Sequence, residues 1–351
     1  MQPLPSKSAP VSISRDPVAD LNELIDKISP DKIFLLTDEH TQYLCRPLIE
    51  GVKGVTDSQS ITIKAGDHHK NTGALASVWQ MLSDGGASRH SLLINLGGGM
   101  PCDLGGFAAA TYKRGIPFIN LPTTLLSMVD ASVGGKTGIN FNGFKNEIGA
   151  FRIAEMVLIH TPFLNTLDKD NLLSGYAEML KHALIDAPET LEKLLITEPD
   201  NISAEFLAEL VADSVMVKDR YVEADPLEKN IRKALNLGHT IGHAFESLAM
   251  KKKRPALHGY AVAWGLIPEL KLAVAKEKFP MEIAKKTENY INRLYGHHQF
   301  TTDDFDALFS LMQHDKKNKG DRINFTLLSN VGTPVIDIHC SREEIKSAIF
   351  D

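Results

Sequence analysis

Cysteine is scarce in this chain, and its placement excludes two chemistries. The 351 residues hold three, Cys45, Cys102 and Cys340, with no CxxC pair and no even framework. Neither a disulfide scaffold nor a thiolate metal knuckle can be built from them, and they read as reduced packing residues of a cytosolic protein. Long apolar runs are missing as well: none approaches the roughly 20 residues needed to cross a bilayer. The first seventeen residues are polar and proline-rich, without the apolar core of a signal peptide. Nor is there an excess of positive charge. A net charge of −6 gives no electrostatic basis for a nucleic-acid partner, and the basic run at Lys251-Lys-Lys-Arg254 reads as a solvated helix end. What is present, 43% hydrophobic and 23% charged residues, is the composition of an ordinary globular protein long enough for two domains with separate cores.

The front portion alternates between two periods. Lys32 to Thr37 is a continuous apolar run ending at Asp38, preceded by helix-spaced apolar residues from Val18 to Ile28. Ser60 to Lys64 alternates like a strand, Leu75 to Leu82 reads as helix, and Ser91 to Leu96 is a buried strand that breaks at Gly97, Gly98 and Gly99. Helix follows through Phe107 to Tyr112, then strand at Pro117 to Asn120. This predicts a parallel sheet wrapped by helices, a Rossmann-like domain over residues 1–155 with ligands at the carboxyl ends of its strands, where Asp38 and Gly97 to Asp103 fall. After Met156 to Ile159 strand signals become sparse. Leu172 to Leu184, Ile202 to Tyr221, Leu237 to Ala249, Gly259 to Phe279 and Ile283 to Leu294 carry helical spacing, and Asn324 to Leu328 is a late short strand. Residues 156–351 are therefore expected to form a mainly α-helical domain, with the active site in the cleft between the two.

Two stretches carry chemistry. The glycine turn after Leu96 suits the pyrophosphate of a dinucleotide, because glycines let backbone N–H groups approach phosphate and the following helix offers its positive end; its contiguous glycines are not the GxGxxG fingerprint, and a purely structural turn is the competing reading. The helix carrying His239 and His243 places both rings on one face and could hold a divalent metal, although chance histidine pairs on helices are mostly structural. Together a dinucleotide and a metal can move a hydride and polarise the hydroxyl it leaves. Thr240 stands where a metalloprotease needs its glutamate, which disfavours peptide hydrolysis. Ser132 to Thr137 invites a P-loop reading, but Asp130 occupies the position of the first required glycine. Further metal ligands are sought at Glu178 and His258. Arg232 and Asn236 share a face with the histidine helix, and Lys218, Lys181, Lys145 and Arg114 add positive charge, a concentration that favours an anionic substrate.

These residues resemble the 3-dehydroquinate synthase family, from about Asp38 to Gly332. The resemblance is densest at Gly97 to Gly99, Asp103 to Phe107, Tyr112 to Ile116, Leu121 to Leu126 and Val129 to Asn140, and it continues at Gly175 to Glu178, Leu235 to Glu246 and Asp315 to Lys317. It implies a phosphate-eliminating cyclase that binds NAD and Zn2+, with Co2+ as an alternative. The substrate would be 3-deoxy-D-arabino-heptulosonate 7-phosphate, converted by transient oxidation, β-elimination of phosphate, re-reduction and aldol closure to 3-dehydroquinate. By position, Glu178, His239 and His258 correspond to the metal ligands. Asp38, Lys70, Gly98, Gly99, Asp103, Thr123 and Thr124 correspond to the dinucleotide contacts, with His40 and Asp67 on the same side. Asp130, Lys136, Lys145, Asn146, Lys181, Lys218, Arg232, Asn236, His243 and Lys316 correspond to residues around the substrate. Arg114 matches an arginine that reaches the phosphate from a neighbouring subunit, which implies a homodimer.

Four positions depart from the family pattern: Asp67 for a glutamate, His40 for an asparagine, Phe144 for a glycine and Tyr260 for a glutamate after His258-Gly259. The rival readings are a sister sugar phosphate cyclase whose substrate lacks a carboxylate, a polyol dehydrogenase of the glycerol dehydrogenase type, and a nonenzymatic dinucleotide- or metal-binding protein. Arg232 speaks against the first, because a guanidinium suits a carboxylate.

Overall fold

The computed structural model describes the chain except for residues 56–58, 143 and 314–322. Two compact units emerge: residues 1–168 with 204–219, and residues 169–203 with 220–351.

The first unit is built on a seven-stranded sheet. Its strands are β1 (Gln2–Pro3), β2 (Val11–Ile13), β3 (Ile33–Asp38), β4 (Gln59–Ile63), β5 (Leu92–Gly97), β6 (Phe118–Pro122) and β9 (Met156–Ile159), in the order β1-β2-β9-β6-β5-β3-β4. All pairings are parallel except β1 with β2. β5 and β6 are buried along their whole length, which is why they appear in sequence as unbroken apolar runs rather than alternating ones. From β3 the chain goes to the β4 edge and then returns past it to β5, so strand order reverses between β3 and β5. A crevice at the carboxyl ends of that pair is where such sheets bind ligands. Helices α1 (Pro17–Ile28), α2 (Thr41–Leu44), α3 (Thr72–Asp84) and α4 (Gly99–Thr111) belong to this unit. A separate hairpin, β7 (Lys136–Phe141) with β8 (Phe144–Phe151), also belongs to it, and the sequence reading did not foresee it.

The second unit is helical: α5 (Lys169–Asp186), α6 (Pro188–Ile196), the end of α7 (Ala204–Ala224), α8 (His239–Lys251), α9 (His258–Glu277), α10 (Met281–Tyr295), α11 (Phe305–Gln313) and α12 (Arg342–Phe350). A two-stranded ribbon, β10 (Asn324–Asn330) and β11 (Thr333–His339), completes it. Among the described residues no helix is long and apolar enough to cross a membrane.

The start of the chain is fastened by one buried carboxylate. Asp219 accepts from Ser6 Oγ (2.7 Å), Lys7 N (3.0 Å) and Ser8 N (3.0 Å), and from Ser8 Oγ. Burial pushes this carboxyl up, but the donors from Ser8, Ser6 and Lys7 outweigh it and hold it below the usual range. A depressed folded-state value stabilises the fold above the ordinary carboxylate range, and that stabilisation fades as pH falls through it. Asp219→Asn is thus expected to lower the melting temperature at pH 7, with the gap to wild type narrowing between about pH 5 and pH 3. A gap independent of pH would count against this role.

Candidate active site

The first unit offers a phosphate seat. Gly98 caps α4 without a side chain, leaving first-turn amides open to a ligand. The turn has no room for larger residues: a Cβ at Gly98 would lie 3.0 Å from Thr124 Cγ2, and one at Gly97 would lie 2.5 Å from Pro101. Deeper in α4, a Cβ at Gly105 would meet Asn95 Oδ1 at 2.0 Å, so this helix rests directly on β5. Asp38, buried at the end of β3, accepts from His40 N (2.9 Å) and Thr41 N (2.8 Å), and Thr41 Oγ1 in turn reaches Leu96 O (3.0 Å). The ends of β3 and β5 are tied together at the point of strand reversal. The His40 side chain is exposed, Thr123 is buried, and Thr124 Oγ1 bonds Ser127 Oγ at 2.9 Å.

Beside the turn lies a polar network. Lys70, only 4% exposed, reaches Asp103 Oδ2 at 2.9 Å and Asn146 Oδ1. Asp67 lies 3.5 Å from Lys70 Nζ and 3.4 Å from Lys145 Nζ. Burial raises its carboxyl, but Lys70, Lys145 and Asn140 outweigh that and lower it; for Asp103 burial wins despite Lys70, and its carboxyl is raised. Asn140, to which the sequence reading gave no role, holds this network together. Its amide donates to Asp67 O (2.8 Å) and Oδ2 (3.0 Å), its Oδ1 accepts Asn146 N (2.9 Å), and its own N–H bonds Lys70 O (2.7 Å). The Asp67 carboxylate thus engages two lysines and an asparagine. Asp130 pairs with Lys218 (2.7 Å), which also donates to the Asp130 carbonyl. Lys136 is exposed. So is Arg114, which stands in a turn where both Lys113 (φ +49°) and Arg114 (φ +68°) are left-handed.

The second unit gathers the candidate metal ligands. Glu178, wholly buried, projects from α5, while His239 and His258 are the first residues of α8 and α9. Nε2 of His239 and Nε2 of His258 each lie 3.4 Å from the same oxygen, Glu178 Oε1. That is long for a hydrogen bond, but it is about the edge of a tetrahedron whose donors each stand ~2.1 Å from a central zinc ion. The other ring nitrogens are already committed: Nδ1 of His239 faces Leu237 O at 3.1 Å and Nδ1 of His258 faces Glu246 Oε2 at 3.2 Å. With Nδ1 as the donor, each Nε2 keeps its lone pair for an ion between the rings and Glu178, as ligand histidines do. This donor set fits a divalent ion. His243 belongs to the same cluster, with one donor atom of each histidine within 4.8 Å of the others.

Electrostatics separate the three proposed ligands. Burial raises the Glu178 carboxyl, but Lys181, His239 and His258 overcome this and hold it well below the usual carboxylate range. Burial, together with Lys181, keeps His239 well below an ordinary imidazole. Burial also opposes charge on His258, yet the neighbouring carboxylates of Glu178 and Glu246 raise it to about 10. Lys181, 1% exposed, pairs with Glu178 one turn along α5.

Arg232 and Asn236 are near this cluster in sequence but not on its helix. They lie in a separate 3-10 turn, Ile231–Asn236, because Gly238 adopts φ +78° and the α-helix starts only at His239. The expected helix from Leu237 and the shared face are corrected accordingly. Arg232 is 1% exposed and donates to Pro226 O (2.7 Å), and Asn236 donates to Glu228 Oε1 (2.9 Å). Tyr260, in place of the family's glutamate, turns its hydroxyl to Asp170 (2.8 Å); the carboxylate behind His258 is Glu246 instead. Glu246 could have been found in the sequence, since it stands seven residues after His239 and so on the same helical face. Lys316 lies outside the described residues.

The fold matches that of solved two-domain enzymes. A 2-deoxy-scyllo-inosose synthase complexed with carbaglucose-6-phosphate, NAD+ and Co2+ superposes with a TM-score of 0.84 at 21% identity, over 97% of this chain and 96% of that one. The 2-epi-5-epi-valiolone synthase of Streptomyces hygroscopicus subsp. jinggangensis 5008, with NAD+ and Zn2+ bound, gives 0.83 at 23% identity over 99% and 98%. An NADH-dependent butanol dehydrogenase of Thermotoga maritima follows at 0.68 and 14% identity over 99% and 96%. The architecture is thus one that these cyclases and, more distantly, an alcohol dehydrogenase share. Sequence narrows this further. Residues 60–174 match the model of the 3-dehydroquinate synthase N-terminal domain and residues 175–318 that of the C-terminal domain. A 3-dehydroquinate synthase of Parabacteroides distasonis is 50% identical over 97% of this chain and 96% of its own length, and one from Clostridium tetani is 36% identical over 92% and 86%. The chain belongs to the 3-dehydroquinate synthase family.

Proposed function

We propose that the chain catalyses its family's reaction, the conversion of 3-deoxy-D-arabino-heptulosonate 7-phosphate to 3-dehydroquinate and phosphate. The observation that carries this reading is the convergence of two histidine Nε2 atoms on one oxygen of a buried glutamate, in a chain whose other unit ends a buried strand in a side-chain-free helix cap. When bound, the dinucleotide would accept and return a hydride at the carbon whose hydroxyl zinc or cobalt would acidify.

The chain's own residues bind and orient. Glu178, His239 and His258 hold the metal. Asp38, His40, Lys70, Gly98, Gly99, Asp103, Thr123 and Thr124 hold NAD, and Asp67 acts on this side mainly by fixing Lys70 and Lys145. Arg232 takes the substrate carboxylate. Asp130, Lys136, Lys145, Asn146, Lys181, Lys218, Asn236, His243 and Lys316 fix the hydroxyls and the phosphate, so that the substrate's own phosphate is positioned to take the C–H proton as it leaves and no enzyme base removes it. In this division of labour, residues 1–155 hold the dinucleotide and lend Asp130, Lys136, Lys145 and Asn146 to the substrate, while residues 156–351 hold the metal and the rest of the substrate. The protein works in the cytoplasm.

The partner is a second copy of the chain, which contributes Arg114. The strained turn presents that side chain outward, and Phe141, Ile148, Phe151 and Ile153 leave apolar surface exposed on and after the hairpin. Phe151→Glu combined with Ile153→Lys is expected to shift the mass measured by light scattering from dimer to monomer; an unchanged mass rejects this surface.

The direct test is incubation of purified protein with the heptulosonate phosphate and catalytic NAD. Phosphate and cyclised product should accumulate in equal amounts without net NADH. Accumulating NADH, or no phosphate, overturns the reading.

A further inference from the structure

Two buried carboxylates connect the helices that carry the metal histidines. Glu246, about two turns along α8 from His239, reaches across to Nδ1 of His258 on α9. Glu269, three turns along α9 from His258 and 0% exposed, reaches back to α8: its Oε2 accepts Gly238 N at 2.6 Å and its Oε1 accepts Ile241 N at 3.1 Å. Those two amides flank His239. Gly238 is the α8 cap and has no side chain of its own, so Glu269 supplies the capping carboxylate from the neighbouring helix. The two helices meet at backbone contact. A Cβ at Gly265 would stand 2.2 Å from Gly238 O and 2.7 Å from Gly242 N, and one at Gly242 would stand 2.8 Å from Ala261 O. With so little clearance, neither helix can slide past the other.

We propose that Glu246 and Glu269 form a reciprocal carboxylate clamp between α8 and α9, which fixes the tautomer and register of His258 and His239 and so sets the affinity of the metal site. Each helix carries one ligand and the carboxylate that orients the other helix. Glu246 Oε2 accepts a hydrogen bond from Nδ1–H of His258, leaving Nε2 as the ligand and raising its basicity. Glu269 pins the amides on either side of His239, holding that ring where its Nδ1–H donates to Leu237 O. A glutamate in the middle of an apolar helix face costs desolvation, and here two backbone donors and a helix N-terminus offset it. Both are positioning residues, since neither reaches the metal point itself. The inference rests on Glu178, His239 and His258 being the metal ligands.

The test is the zinc dissociation constant of the full-length protein, measured by chelator competition, in wild type, Glu246→Gln, Glu269→Gln and His258→Ala. Each glutamine variant should bind zinc about 10- to 100-fold more weakly. The visible absorption of its Co2+-loaded form should shift, reporting altered ligand geometry. Melting of the metal-stripped proteins separates this from a loss of folding, and if Glu269→Gln does not fold, Glu246→Gln still decides. Wild-type affinity and wild-type cobalt spectra in the folded glutamine variants, with metal lost in His258→Ala, overturn the clamp. Full zinc retention in His258→Ala overturns the ligand reading on which the clamp depends.

Discussion

Replacing His258 by alanine is expected to remove both bound zinc and turnover. In the proposed site the ring is one of three donors, beside Glu178 and His239, and its removal would leave the other two to hold the ion alone. Losing a ligand costs far more than the 10- to 100-fold typical of an outer-shell change, so turnover should fall below detection. Glu178→Ala should have the same functional result with an added defect. Lys181 is buried beside Glu178, and stripping a buried pair of one partner costs about 3–5 kcal/mol, so this variant should also melt earlier. His258, with a quarter of its side chain exposed, isolates the metal effect more cleanly. Metal content by elemental analysis, read alongside phosphate release, checks both. Full occupancy in either variant would refute the assignment.

The second large effect is expected at Arg232. A guanidinium that is 1% exposed and anchored to Pro226 O cannot serve as a solvated surface charge. Truncating one partner of a buried, hydrogen-bonded charge pair costs about 2–5 kcal/mol, equivalent to roughly 30- to 4,000-fold in kcat/KM for the carboxylated substrate. Arg232→Lys should recover little of this, because an ammonium cannot reproduce a planar two-pronged contact. An unchanged rate in Arg232→Ala would move the reading to the sister cyclases, whose substrates have no carboxylate. Retained melting temperature in the variant would confirm that the loss concerns substrate rather than folding.

The parts of the chain legible in sequence are those where burial imposes a period. β5 is buried throughout and reads as an unbroken apolar run; the three glycines that begin at its last residue announce the turn at the point of strand reversal. α5, α8, α9 and α10 of the second unit are legible from their apolar spacing for the same reason, whereas the short α6, α11 and α12 are not. Nor is the β7–β8 hairpin. Residues 145–149 of its second strand are exposed and Asn146 is left-handed, so the strand shows neither apolar alternation nor regular backbone. The break between Asn236 and His239 is not legible because Leu237 and Gly238 sit inside a run with helical spacing, and the extended ψ of Leu237 (+131°) with the positive φ of Gly238 (+78°) separate Arg232 from the histidine helix. The long-range partners of Asn140 and Glu269 depend on contacts between elements distant in sequence, which no local pattern encodes.

The turn at Lys113 and Arg114 bears on engineering. Left-handed backbone costs a side-chain-bearing residue about 1–2 kcal/mol, and here two neighbours incur it together. Lys113→Gly would relieve part of that load while leaving the arginine's guanidinium in place. Heat tolerance could therefore be raised at position 113 without touching the guanidinium beside it.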